Sequence, residues 1–355
     1  MIPRTKRGKT ALERPDAVKS GVLPDRELHA LLASGAIAAE RGMQRDQVQP
    51  ASLDLRLGDL AYRLRASFLP GAHDVASRLD DSLVMHTLDL TRGAVLETGC
   101  VYLVPLRERL RLPSDLSAAA NPKSSTGRID VFVRAVCDHA RAFDSAPVGY
   151  NGPLYAEISP RTFSVLARTG DRLLQLRVRR GVHRPMRELV FSLDLHPTAG
   201  SIVGYRAKRH SRVIDLARIG AHGVEDFWEP IQARENRIVL DPGEFYILAS
   251  KEKIVIPLDE AAEMAPIAPE LGEFRAHYAG FFDPGFGVKQ KSGKAVLEVR
   301  SRDVPFILED GQPVGRLVFE AMTAPPDVPY GAKGSFSTYQ GQGLRLSKYF
   351  SPTDQ

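Results

Sequence analysis

Cysteine and tryptophan are scarce in this chain of 355 residues, which has two cysteines and one tryptophan. Cys100 and Cys137 have no CxxC spacing and cannot build a disulfide framework, which fits a reducing compartment. No apolar run reaches the roughly 20 residues of a membrane-spanning helix, and the first twenty residues lack the apolar core of a secretory signal. We therefore expect a cytoplasmic protein that has no membrane partner.

A large excess of one charge is also missing, because the formal net charge is only +5. Much of this excess lies in the N-terminal segment and in residues 172–184, and it favours nucleic acid or a nucleotide phosphate as a partner. The chain has no aromatic-plus-basic RNA-binding signature, no zinc-finger spacing and no clear helix-turn-helix pattern. Nucleic acid is therefore the weaker of the two partner hypotheses.

Hydrophobic residues make up 43% of the chain, enough for a packed core, and the length predicts about two domains. One helix is predicted near the start, where Leu28, Leu31 and Leu32 share a face and Gly35 ends it. Beyond it, short runs alternate between apolar and polar residues, as in residues 51–58, and glycines and prolines separate them. The sequence predicts a mainly β fold with a short N-terminal helix.

The chain contains an internal repeat. Residues 99–113 align with residues 243–257, which places Tyr102 over Tyr246, and a second stretch places Glu157 over Glu298. Such self-similarity predicts two homologous β domains in tandem. We expect a basic flexible tail at 1–20, a first domain at 21–198, a second domain at 199–328 and a C-terminal tail at 329–355, with the domain boundary near residues 197–210.

The segment PKSSTGR, Pro122 to Arg128, places hydroxyl groups and two cationic side chains in one short turn, which suits a polyphosphate. A lone glutamate, Glu157, lies in a later apolar strand and is a candidate base. The second copy has no counterpart of the turn, because residues 265–274 contain neither serine nor a basic residue. It keeps Glu298 and the turn FDPGFG, but we interpret this copy as a structural or accessory domain and Glu298 as a relic.

These motifs resemble those of the bacterial dCTP deaminases, which belong to the dUTPase-like superfamily. QPASLDLRLG is similar to the family's strand ending in DxRLG, PKSSTGR to its RSSxxR nucleotide-binding turn, and FDSAPVGYNGPLYAEIS to its IDPGWxG turn and catalytic strand. Residues 329–347 resemble the tail that closes over bound nucleotide. The resemblance implies two tandem dUTPase-like β-barrel domains and hydrolytic deamination of dCTP to dUTP and ammonia.

The resemblance also implies roles for single residues. Glu157 is the expected general base that activates water, with Ser124 and Arg128 as its catalytic partners. The expected nucleotide-binding set comprises the phosphate turn, Asp144 near the deoxyribose, main-chain groups that read the pyrimidine, and two tail residues: Lys123, Ser124, Ser125, Thr126, Gly127, Arg128, Asp144, Tyr155, Ala156, Tyr330 and Gln342. The family implies magnesium on the triphosphate, no catalytic metal, dTTP as a possible regulator, and a homotrimer with sites at subunit interfaces.

Independently of the family, the sequence lacks the HxE and PCxxC motifs of zinc-dependent deaminases, so a deaminase in this chain has to activate water without zinc. The motifs also depart from the family pattern, since Lys123 replaces an arginine, Tyr150 a tryptophan and Thr338 a tail lysine. A lysine at position 123 loses bidentate geometry toward phosphate.

Two alternative functions stay open. One is a dUTP diphosphatase or a bifunctional enzyme, in which Asp144 activates water at phosphorus. The other is a nucleotide- or nucleic-acid-binding protein without catalysis. The sequence also leaves open whether dCTP or dCMP is preferred.

Overall fold

The structure is a computed structural model that describes residues 19–196, 201–232, 235–266, 274–276, 280–288, 293–301 and 303–352. Residues 1–18 of the predicted basic tail, residues 197–200 at the predicted boundary and most of the stretch 265–274 lie outside the described residues.

One helix longer than a single turn occurs in the described part of the chain. This helix, α1, spans Asp25–Ala33, and Leu28 on its inner face is fully buried. Asp25 and Glu27 lie in its first turn, where carboxylates interact favourably with the helix dipole. Later in the described residues, a 3₁₀ helix spans Ala76–Arg78, and two single α-helical turns follow, α2 at Ser124–Gly127 and α3 at Val224–Phe227. The predicted N-terminal helix is confirmed.

Strands form most of the remaining regular structure, which confirms the predicted mainly β fold. Those of the first half are β1 Gly21–Val22, β2 Ile37–Ala39, β3 Leu53–Leu55, β4 Leu60–Leu64, β5 Val84–Asp89, β6 Ala94–Leu96, β7 Val101–Arg111, β8 Leu116–Pro122, β9 Val131–Cys137, β10 Ser145–Ala146, β11 Asn151–Pro160, β12 Val165–Ala167 and β13 Leu174–Arg180. Those of the second half are β14 Arg187–Ser192, β15 Gly204–Ala207, β16 Ile214–Asp215, β17 Trp228–Ile231, β18 Arg237–Leu240, β19 Phe245–Lys253, β20 Glu260–Ala265, β21 Phe274–Ala276, β22 Phe281–Phe282, β23 Lys294–Ser301, β24 Phe306–Glu309 and β25 Pro313–Ala321.

Strand pairing divides the chain into two halves. The first half has sheets ordered β1-β13-β8-β10, with β3 added to β13, and β5-β4-β7-β11-β9, with β2 added to β7. The second half has sheets ordered β14-β25-β20-β22, β17-β15-β19-β23-β21 and β18-β24. Because β14 pairs with β25, the change between halves falls between Arg180 and Arg187, earlier than the boundary expected after residue 198. Local sequence does not carry this information, since partners more than a hundred residues apart decide it.

The internal repeat is visible in matching strands and matching hydrogen bonds. β11 pairs with β7 as β23 pairs with β19, and Glu157 lies opposite Leu103 where Glu298 lies opposite Ile247. The Tyr102 hydroxyl accepts a hydrogen bond from the Glu97 amide at 3.0 Å. The hydroxyl of its counterpart Tyr246 accepts one from the Asp241 amide at 2.9 Å. The two halves are therefore built on one plan.

The halves share a hydrophobic core. β16 extends a first-half sheet by pairing in parallel with β12. Trp228 is buried at this junction, with its ring centroid 5.3 Å from Phe163 of the first half and 5.8 Å from Phe350 of the tail. Burying one such aromatic ring contributes about 1.5–3 kcal/mol. The end of the tail is thus anchored in the core that joins both halves.

Candidate active site between the two halves

The predicted phosphate turn is the helical turn α2 between β8 and β9. Extended backbone at Lys123 leads into it, and the Lys123 amide donates to the Leu173 carbonyl at 2.9 Å. The buried Thr126 hydroxyl donates to the same carbonyl at 3.1 Å, and Gly127 is buried beside it. Thr126 and Gly127 therefore hold the turn in place, while Ser124 and Ser125 face a cleft.

This cleft has a volume of about 360 Å³, within the range of small-ligand sites. The first half, the second half and the tail all contribute to its wall. Its charged lining residues are Asp46, Asp54, Lys123, Asp171, Arg172, Asp283 and Lys348. Its tail residues are Tyr330, Phe336, Thr338, Tyr339, Lys348 and Tyr349. A smaller adjoining chamber of about 40 Å³ reaches Arg128, Val296 and Gln342.

Arg128 connects the turn to the tail. Its guanidinium donates to the Gln342 side-chain oxygen at 2.9 Å and to the Arg345 carbonyl at 3.0 Å. It also lies 3.9 Å from the centre of the Tyr339 ring. Burial lowers the pKa of Arg128, while the nearby Tyr339 and Glu298 favour its charged form. Glu298 of the second half is therefore an electrostatic neighbour of the first-half turn.

The alternation of β23 explains this position of Glu298. Val296, Glu298 and Arg300 point to one face of the strand. Val296 belongs to the core that both halves share, and Arg300 donates to the Thr162 hydroxyl at 2.7 Å and pairs with Asp130. Glu298 is 1% exposed. The second half thus presents its glutamate to the first half.

The residues on either side of β22 reinforce the junction. The Gly280 amide donates to the Asn121 side chain at 2.8 Å, and a Cβ at Gly280, where φ is +123°, would lie 2.5 Å from the Ser124 hydroxyl. Asp283 is 7% exposed, and Arg177 donates to it at 3.3 Å. Burial raises the pKa of Asp283 to about 6, although Arg177 acts in the opposite direction.

The tail closes this site through side-chain hydrogen bonds to both halves. The Gln342 amide donates to the Lys294 carbonyl at 2.9 Å, opposite its contact with Arg128. The Ser347 hydroxyl donates to the Ser125 carbonyl at 2.7 Å. The Tyr330 hydroxyl accepts from the Tyr339 amide at 3.0 Å, and burial raises the pKa of Tyr330 to about 12. The phenol therefore stays neutral near pH 7.

Glu157 and Asp144 lie elsewhere. Arg134 is directly opposite Glu157 across β9 and β11 and donates to it at 2.6 Å. The same guanidinium lies 3.5 Å from the centre of the Phe143 ring. Asp144 adopts a φ of 60°, and its carboxylate accepts from the Ala135 amide at 2.6 Å. Burial raises the pKa of Asp144 to about 7.

The predicted residues therefore fall into two groups. Lys123, Ser124, Ser125, Arg128, Tyr330 and Gln342 meet at the cleft or its chamber. Asp144 lines a separate cavity of about 430 Å³. Tyr155 and Ala156 belong to hydrophobic clusters, and neither they nor Glu157 line the cleft. Within one chain, Glu157 therefore does not line the cleft that contains the turn, and its expected role as the general base stays a prediction.

Four residues that line the cleft were not singled out from sequence: Asp54, Asp171, Arg172 and Lys348. Glu298, an electrostatic neighbour of Arg128, was interpreted as a relic. One signal was available: the serine-rich turn survives only in the first copy, whereas the intact FDPGFG turn survives only in the second. Complementary survival of this kind indicates one site built from both copies.

No group of three metal-binding side chains occurs among the residues that the structure describes. Single carboxylates, including Asp54 and Asp171, do line the cleft. A magnesium ion that arrives on a triphosphate needs one or two protein oxygens and retains several waters, so these residues fit such an ion. Magnesium binding and independence from zinc stay predictions. In the described part of the chain, no helix is both long and apolar enough to cross a membrane.

Comparison with known families gives the identity of this arrangement. The model for the N-terminal domain of 2'-deoxycytidine 5'-triphosphate deaminase matches residues 19–182. The model for the C-terminal domain of the same enzyme matches residues 169–350, more than half of the chain. The chain belongs to the dCTP deaminase family. This confirms the family predicted from the motifs.

A solved structure and curated proteins that are similar to this dCTP deaminase family member also carry dCTP deaminase names. The crystal structure of 2'-deoxycytidine 5'-triphosphate deaminase from Agrobacterium tumefaciens is 52% identical, with a TM-score of 0.83 over 87% of this chain and 99% of that one. A Kocuria rhizophila protein named "dCTP deaminase, dUMP-forming" is 37% identical over 31% of this chain and 56% of its own length. A Corynebacterium kroppenstedtii protein of that name is 30% identical over 42% and 82%. The chain spans about half the length of the first of these curated relatives.

Proposed function

We propose that the chain deaminates dCTP in the cleft between its halves, with Glu298 as the general base. One observation carries this proposal: the buried Glu298 carboxylate of the second half lies beside Arg128 of the first-half phosphate turn. Family membership supports dCTP as the substrate. Lys123, Ser124 and Ser125 face the same cleft and supply the cation and hydroxyl groups that phosphate oxygens bind.

In the proposed reaction, Glu298 takes a proton from water as the water oxygen bonds to C4 of cytosine. The electrons of the C4=N3 double bond move to N3, which receives that proton from Glu298. The remaining proton of the C4 hydroxyl then passes through Glu298 to the amino nitrogen, the bond from C4 to this nitrogen breaks with release of ammonia, and the hydroxyl oxygen becomes the C4 carbonyl of the product. A general base positioned in this way contributes about 10²- to 10⁴-fold in rate. Arg128 and Gln342, which are joined by a hydrogen bond, both line the chamber.

A second candidate activity is removal of pyrophosphate, with dUMP as the final product. The curated relatives carry the words "dUMP-forming" in their names. Asp283 lines the same cleft, and its pKa of about 6 leaves much of it ionised near neutral pH. It is therefore able to take a proton from a second water that attacks phosphorus. In this scheme Asp283 fills the role that the sequence alternative gave to Asp144.

A homotrimer, regulation by dTTP and a cytoplasmic location stay predictions.

The test compares Glu298→Gln with Glu157→Gln, because the two glutamates are counterparts in the repeat. Purified proteins receive dCTP and magnesium, and ammonia, dUTP, dUMP and pyrophosphate are measured. We expect Glu298→Gln to lose about 10²- to 10⁴-fold in kcat and Glu157→Gln to keep most of the activity. Thermal unfolding of both variants controls for the ion pair that Glu157→Gln weakens.

The opposite pattern, with only Glu157→Gln inactive, would place the base in the first half and overturn the assignment of Glu298. Wild-type protein that binds dCTP tightly without releasing ammonia would favour a non-catalytic nucleotide-binding protein. Pyrophosphate together with dUMP would establish the second candidate activity.

A further inference from the structure

Lys348 is a tail lysine that lines the cleft together with Lys123, Ser124 and Ser125. Its backbone is held on both sides, because the Lys348 amide donates to the Tyr339 hydroxyl at 3.1 Å and the Gly220 amide donates to the Lys348 carbonyl at 2.9 Å. The next residue, Tyr349, is 3% exposed and belongs to the shared core. The backbone that carries the Lys348 side chain is therefore held in place.

The other two cations of the cleft already have carboxylate partners. Lys123 forms an ion pair with Asp54. Arg172 pairs with Asp46 at 2.7 Å and lies 3.8 Å from Asp54. Each of them has to give up or share its partner in order to bind an anion.

Lys348 differs from both. Among the described residues its ammonium group forms no ion pair or hydrogen bond, and its nitrogen lies 5.4 Å from the centre of the Tyr349 ring. Burial lowers the pKa of Lys348, the positive charges of Lys123 and Arg172 act in the same direction, and Asp54 and Asp171 oppose them. A partly buried ammonium without an anion is unfavourable, and a bound anion stabilises its charged form.

A polyphosphate is the anion that fits this cleft, because the hydroxyl-rich turn α2 lines it beside Lys348. Thr338, which stands where the resemblance places a tail lysine, lines the same cleft without a charge. We propose that Lys348 binds the phosphate groups of the nucleotide and supplies the tail cation that Thr338 does not. This rests on the proposed function, because it takes a nucleoside triphosphate as the ligand.

The experiment measures binding of inorganic tripolyphosphate by calorimetry, which requires no turnover. Lys348→Met removes the charge and keeps the length of the side chain. Losing a charged hydrogen bond weakens binding by about ten- to a hundredfold, and we expect that loss for tripolyphosphate but little change for deoxycytidine. Lys333→Met is the matched control, because Lys333 is an exposed lysine of the same tail that does not line the cleft. Lys348→Arg should restore most of the affinity.

Unchanged tripolyphosphate affinity in Lys348→Met, or equal losses in Lys348→Met and Lys333→Met, would overturn the proposal. If Lys348→Met does not fold, the Lys348 amine is titrated by NMR in the wild-type protein. An upward shift of its pKa on adding tripolyphosphate supports the proposal, and an unchanged pKa overturns it. Absence of ammonia release by wild-type protein would refute the proposed function alone, because tripolyphosphate binding is measured separately.

Discussion

Asp144→Asn tests whether the raised pKa of Asp144 makes the stability of the protein depend on pH. Asp144 is partly buried, and burial raises its pKa from the ordinary 3.8 to about 7. Its carboxylate oxygen accepts the Ala135 amide hydrogen bond, which an asparagine oxygen can also accept. Asparagine also tolerates the φ of 60° at this position. The substitution therefore removes the ionisable group with little other change.

The magnitude follows from proton linkage. Between pH 4 and pH 7 the unfolded chain releases the Asp144 proton while the folded protein retains it, so wild-type stability falls as pH rises through this window. One pKa unit corresponds to about 1.4 kcal/mol, so the loss amounts to at most about 4 kcal/mol above pH 7. Solvent screening at a partly buried site reduces this value. Asp144→Asn should escape the loss entirely.

Urea unfolding of both proteins at pH 5, 6, 7 and 8 provides the assay. We expect the free energy of unfolding of Asp144→Asn to exceed that of wild type by an amount that grows up to pH 7 and then levels off. Other titrating groups cancel, because both proteins contain them. A stability difference that is independent of pH, or that shrinks as pH rises, would refute the reasoning.

Three further predictions concern the junction between the halves. Gly280→Ala should destabilise the fold by about 1–3 kcal/mol and weaken dCTP binding, because its Cβ would press on the Ser124 hydroxyl. Gly243→Ala, at a φ of +74° with open space around it, serves as the control for backbone strain. Equal effects of the two substitutions on dCTP binding would contradict the prediction. Gln342→Ala removes an acceptor of Arg128, so trypsin should cleave the tail faster, and an unchanged cleavage rate would show that this contact does not hold it. Fluorescence of Trp228 and far-UV circular dichroism should report one shared unfolding transition, and separate midpoints would argue against a common core.

The regular elements were predictable because their signals are local. The helix α1 follows from leucines at helical spacing after Pro24, and the strands follow from alternation between glycines and prolines. The position of β14 was not predictable in this way, since its partner β25 lies far along the chain. The repeat was detectable because each copy keeps the same local features, including the tyrosine hydrogen bond at the start of β7 and of β19.

The site was predictable only in part, for the same reason. The hydroxyls and cations of the phosphate turn are neighbours in sequence, so their shared role can be predicted from the sequence. The glutamate that accompanies them depends on which half faces the turn, and packing between the halves decides this. Arg134, opposite Glu157, pairs with one oxygen of the first-half glutamate within its own sheet, whereas β23 directs Glu298 toward the other half.

The packing of the two halves explains why the serine-rich turn survives only in the first copy and the FDPGFG turn only in the second. In two identical copies, each turn could serve the glutamate of the other copy. Once one pair forms a complete cleft within the chain, substitutions in the unused pair no longer affect it. Arg134 can then pair with Glu157, and residues 265–274 can lose their hydroxyl and basic groups. The residues retained in each half, Ser124 with Arg128 and Glu298 with Asp283, line or adjoin the one cleft, so the unequal halves of this dCTP deaminase family member follow from their packing against each other.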